Sequence, residues 1–131
     1  MNHRILFTVA LGLACMLLAP AQAQTQTPIE LGLQAIVELA QVNGQSLACQ
    51  EMKAASRAKN LMIAHAPKTA RFGNAYEEGT QQSYTAQING TQPCADAATF
   101  SVRLDALAQR LQTARPALVT DAALIHPTGT Q

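Results

Sequence analysis

Net charge is what this chain has least of: nine lysines and arginines stand against eight aspartates and glutamates in 131 residues. That balance excludes a global pull toward nucleic acid or an anionic membrane, and it leaves no charge reserve against self-association. Cysteine is nearly as scarce. Of the three, Cys15 falls in an N-terminal apolar run, and Cys49 and Cys94 lie 45 positions apart. This spacing excludes the CxxC of redox enzymes and zinc knuckles. No CxxCH occurs, so covalent c-type haem is excluded, and neither GxSxG nor HExxH marks a hydrolase. His65 and His126 have no second His, Cys or carboxylate at ligand spacing. Neither a metal nor another cofactor is therefore expected. No segment alternates as a strand does, and nothing repeats with a period of roughly 20–50 residues.

The longest apolar run is Ile5–Ala19, preceded by Asn2-His3-Arg4 and ended by Pro20. At 15 residues it is short of the ~20 that a membrane-spanning helix needs. Ala21-Gln22-Ala23 then supplies the small-x-small pattern read by a signal peptidase. Residues 1–23 are thus predicted to be a secretory signal peptide, cut before Gln24. No stable membrane anchor would remain, and the product would reach the periplasm or the exterior. The alternative is a lipoprotein cleaved before Cys15. Gly12 in place of a branched apolar residue and the continuing apolar run Met16-Leu17-Leu18 weigh against it. In an oxidising compartment Cys49 and Cys94 are expected to form a structural disulfide. A loop of that length is worth roughly 4 kcal/mol on the entropic account.

Residues 24–131 suffice for one thin-cored domain. Thr27-Pro28-Ile29-Glu30 has the residues of a capped helix start, and Ile29, Leu33, Ile36, Val37 and Ala40 follow at helical spacing. Asn43-Gly44 reads as the stop. A second helix is predicted from about Gln45 to Ala66, with Cys49 in its first turns and Pro67 after it. A third runs from about Thr69 to Ile88, where Phe72, Tyr76, Thr80, Tyr84 and Ile88 recur every four residues. A fourth runs from about Asp96 to Thr113, ended by Arg115-Pro116. The expectation is an all-α bundle of about four antiparallel helices over residues 24–116, stapled by Cys49–Cys94. Residues 117–131 are expected to form a flexible tail.

Two stretches bear on function. Lys53–Arg71 holds five of the eight basic residues that follow the leader, with no acid between them. At about 100° per residue these charges spread round a helix rather than gather on one face. Arg71-Phe72-Gly73-Asn74-Ala75-Tyr76-Glu77-Glu78-Gly79-Thr80 is the densest run of functional groups. Arg71, Phe72, Tyr76, Glu77, Glu78 and Thr80 are the candidate binding residues: aromatics to stack on and carboxylates to orient at the rim of a groove. The plainer alternative makes the aromatics core. Glu77 and Glu78 point about 100° apart and so do not flank one bond as an acid–base pair. No catalytic residue is expected, and catalysis is the less favoured class. Asn89-Gly90-Thr91 matches a glycosylation sequon, though a turn explains Asn-Gly equally well.

A leader, a helical body and one wide disulfide resemble the layout of many small bacterial periplasmic proteins, the acid-stress chaperones of the Hde type among them. The likeness is architectural and transfers no residue. Binding is therefore the expected mode of action. The first reading is an accessory or inhibitor-type protein docking on one envelope protein. The alternative is a periplasmic chaperone or small-ligand carrier. The oligomeric state is not encoded in any feature found.

Overall fold

A computed structural model describes residues 25–125. The predicted signal peptide, Cys15 and His126 lie outside the described residues. Thr27 caps the first helix as its neighbours predict. Its Oγ1 accepts the Glu30 amide at 3.3 Å, the Glu30 carboxylate accepts the Thr27 amide at 2.7 Å, and Pro28 takes the first helical position. The Thr27 amide and hydroxyl hold the Glu30 carboxyl below its ordinary range.

The helices are α1 (Pro28–Ala48), α2 (Met52–His65), α3 (Ala70–Asn89) and α4 (Ala97–Ile125). There is no strand among the described residues. They form an antiparallel bundle, and the sulfurs of Cys49 and Cys94 are bonded, with 5.6 Å between the Cα atoms. α1 is central: it packs against each of the other three, α2 also meets α4, and the backbone of α3 approaches only α1. Facing several neighbours, α1 buries more than one stripe. Ile36, Leu39, Ala40, Val42 and Ser46 are all enclosed. The core continues through Ala58 of α2, Phe72 of α3, and Phe100, Leu104, Leu111 and Leu118 of α4.

Asn43-Gly44 does not stop α1, which continues to Ala48. Here tertiary packing overrides the local signal. A Cβ on Gly44 would lie 2.0 Å from Ser83 Oγ and 2.3 Å from the Thr80 carbonyl oxygen. One on Gly79 would lie 2.9 Å from the Ala40 methyl. The glycines let α1 and α3 cross at close range, which offsets their helix penalty of roughly 1 kcal/mol each. Asn43 faces the same crossing and donates Nδ2 to Thr80 Oγ1 at 3.2 Å.

The second helix consequently begins at Met52 rather than near Gln45, and Cys49 is the C-cap of α1 rather than part of α2. The disulfide ties the end of α1 to the approach to α4. The turn between α1 and α2 is a Schellman motif. Gln50 N–H donates to the Leu47 carbonyl at 3.2 Å and Glu51 N–H to that of Ser46 at 2.8 Å. Gln50 sits at φ 61°, where glycine is the usual occupant. Gln50→Gly should therefore raise stability by about 1 kcal/mol, read from urea unfolding at constant slope. No gain would mean that this turn carries no left-handed strain.

The fourth helix also outruns its expected end at Arg115-Pro116. It continues to Ile125 with Pro116 inside it, so residues 117–125 are helix and not tail. Proline in a helix interior costs about 3 kcal/mol. Contacts beyond it hold the last turns in place. Leu118 is fully buried against Gly32, and Asp121 pairs with Arg71 of α3 at 2.6 Å.

Candidate functional site

α2 and α3 diverge on either side of α1 and leave a groove of about 650 Å³ between them. Its floor comes from Asn43 and Leu47 of α1. One wall is α2: Met52, Ala55, Met62 and Ile63, with Ser56 and Lys59 on the same side. The other wall is α3: Gly73, Tyr76, Glu77, Thr80 and Gln81. These positions recur every three or four residues, so each wall is one face of its helix. Met52 and Ile63 are 58% and 61% exposed, a large apolar surface for a helix that has a core to join. The volume lies within the range of about 300–1,000 Å³ usual for small-ligand sites.

The candidate residues of the sequence do not form one constellation. Tyr76, Glu77 and Thr80 line the groove. Phe72 is completely buried in the core. Arg71 lies over the Phe72 ring at 5.8 Å and pairs with Asp121, which commits its guanidinium to joining α3 to α4. Glu78 is exposed on another face and accepts from Gln82 Nε2 at 3.1 Å. The four-residue ridge explains the dispersal: each step of four turns about 40° beyond a full circle. Phe72 therefore starts in the core, Tyr76 follows at its edge, and Ile88 ends 54% exposed.

Inside the groove the polar groups are few and specific. Thr80 Oγ1 accepts from Asn43 Nδ2, and neither the Thr80 hydroxyl proton nor Asn43 Oδ1 has a partner among the described residues. Tyr76 lines the wall with its ring, while its Oη is shut off from solvent rather than open to the groove and has no hydrogen-bond partner among them. Lys59 and Glu77 stand on opposite walls, both exposed. Neither joins an ion pair among the described residues, where the pairs are Arg57–Asp105, Arg71–Asp121 and Arg110–Glu38. These pairs also divide the basic Lys53–Arg71 stretch. Arg57 and Arg71 are tied to α4, while Lys59 makes no ion pair among the described residues.

Burial pushes the Tyr76 phenol up from 10.0 to about 12. A folded value above the unfolded one contributes stability that is complete below pH 10 and is lost as pH rises through 12. Unfolding followed at increasing pH should show that decline in the wild type. Tyr76→Phe should flatten it and, by removing an unpartnered hydroxyl, leave neutral-pH stability equal or higher. A decline that survives in Tyr76→Phe would assign the loss to another group.

The chain matches no protein family, no curated protein and no solved structure with which it was compared. The run around Tyr76 gave one wall of the groove, because functional groups were dense there. The α2 wall was not legible. Met52, Met62 and Ile63 at helical spacing look the same in a sequence whether they face a core or a cleft. Among the described residues no cluster of His, Cys, Asp or Glu is placed to hold a metal, and no helix is long and apolar enough to cross a membrane.

Proposed function

We propose that this is an exported protein of an oxidising envelope compartment, released by cleavage after Ala23, that carries a small apolar ligand in the groove between α2 and α3. The observation that carries this reading is the groove's composition: exposed Met52 and Ile63 facing a wall that contains Tyr76. Methionines adapt to irregular ligands, and a few polar groups among apolar walls are what orient a bound molecule. The surface disulfide and the leader support the compartment. Docking on an envelope protein is the weaker reading, because Arg57, Arg71 and Phe72 are already committed within the bundle.

Gly73 offers a clean test, since a Cβ there meets nothing within 4 Å and the residue lines the groove. Gly73→Leu should fill part of the groove without lowering stability. Protein recovered after export should bind an environment-sensitive apolar dye, and Gly73→Leu should reduce that binding at least about tenfold, roughly the loss of 1.4 kcal/mol. Equal dye binding by both proteins would refute the groove as the site. Intact mass of the exported protein tests the leader, which predicts a chain beginning at Gln24.

A further inference from the structure

We infer that the ligand is a short peptide of apolar residues with free termini; this rests on the groove being the binding site. Its walls narrow the choice of ligand. Lys59 on α2 and Glu77 on α3 are both without an ion-pair partner among the described residues. A fatty acid would satisfy Lys59 and be repelled by Glu77. An apolar amine would do the reverse. A neutral hydrocarbon would use neither. A zwitterion with an apolar body meets both, its carboxylate at Lys59 and its ammonium at Glu77.

The floor points to the peptide link. Asn43 and Thr80 satisfy one another through a single bond, Nδ2 to Oγ1 at 3.2 Å. That leaves Asn43 Oδ1 as an acceptor and the Thr80 hydroxyl as a donor, side by side. An extended peptide presents the complementary pair in the N–H and C=O of one residue, which point to the same side of the strand: the N–H for Asn43 and the C=O for Thr80. Apolar surface lies to both sides, Leu47 and Met52 of the α1–α2 end and Met62 and Ile63 farther along α2, where flanking side chains would rest. A lipid chain would leave the Asn43–Thr80 pair without a partner in a site it had dried, at a cost in affinity.

Calorimetric titration of the exported, oxidised protein tests this with four forms of one tripeptide, leucyl-alanyl-phenylalanine, whose middle residue supplies the N–H and C=O: free, N-acetylated, C-amidated and doubly blocked. The free form should bind most tightly, and each blocked end should cost about twofold to fivefold, the scale of one exposed charge contact. Lys59→Met should weaken only the forms with a free carboxylate, and Glu77→Gln only those with a free amine. Both side chains are exposed and make no ion pair among the described residues, so neither change should move the thermal midpoint. Raised salt should shrink the differences. Equal affinity for all four forms, or Lys59→Met and Glu77→Gln acting alike on all of them, overturns the free-terminus assignment. If no form of the tripeptide binds while the apolar dye still does and Gly73→Leu still blocks it, the peptide inference falls and the groove stands. If dye binding is also indifferent to Gly73→Leu, both fall.

Discussion

Gly44→Ala should cost at least about 3 kcal/mol, an overpacking penalty at the top of the usual range. Helix propensity alone points the other way, since alanine gains roughly 1 kcal/mol over glycine in a helix interior. The added methyl has nowhere to go. It would sit 2.0 Å from Ser83 Oγ, 2.3 Å from the Thr80 carbonyl oxygen and 2.7 Å from the Tyr84 nitrogen. Two of these three atoms are backbone, so relief requires moving α3 as a body. α3 has no other helix whose backbone approaches it. The displaced helix would therefore lose its main support and open the groove wall that holds Tyr76 and Thr80. The matched control is Gly73→Ala on α3, where a methyl meets open space. It should stabilise by up to about 1 kcal/mol. Urea unfolding of both variants decides the matter. Gly44→Ala within about 0.5 kcal/mol of wild type, the scale of an ordinary surface change, would mean that α1 and α3 do not cross this closely.

Cys49→Ser combined with Cys94→Ser should lower stability by up to about 4 kcal/mol, the loop-closure value for this separation. For a domain of this size the thermal midpoint should fall on the order of 15 °C. The closed loop contains the whole of α2 and α3, the two walls of the groove. Opening it frees both in the unfolded state and unties the α3–α4 connection from the end of α1. Cys94 is exposed, so a thiol reductant should reproduce the double variant without mutagenesis. The two treatments should not add. An unchanged midpoint in the double variant would remove the staple from any account of this fold.

Much of the architecture follows from local chemistry. Thr27, Pro28 and Glu30 start α1 where their side chains direct, and Asp96 accepts the Thr99 amide at 2.7 Å just before α4. Pro67 follows the end of α2, and Thr69 caps α3 through the Phe72 amide. Helical spacing of apolar residues establishes four helices, and the two cysteines among the described residues allow a single pairing.

What the sequence determined, then, was the number and class of the helices and the disulfide that joins them. The tertiary structure decided where two helices end and what the third one faces. Gly44 and Pro116 carry local stop signals worth roughly 1 and 3 kcal/mol, and both lie inside helices because partners distant in sequence reward continuation. For Gly44 the partner is the α3 backbone; for Pro116 it is the seat of Leu118 on Gly32 and the Arg71–Asp121 pair. The groove is a product of the same packing. Met52, Lys59 and Ile63 share a face by helical periodicity alone, but only the divergence of α2 from α3 about α1 turns that face into a wall. Periodicity is a property of one helix, whereas a cavity is a property of the space between two.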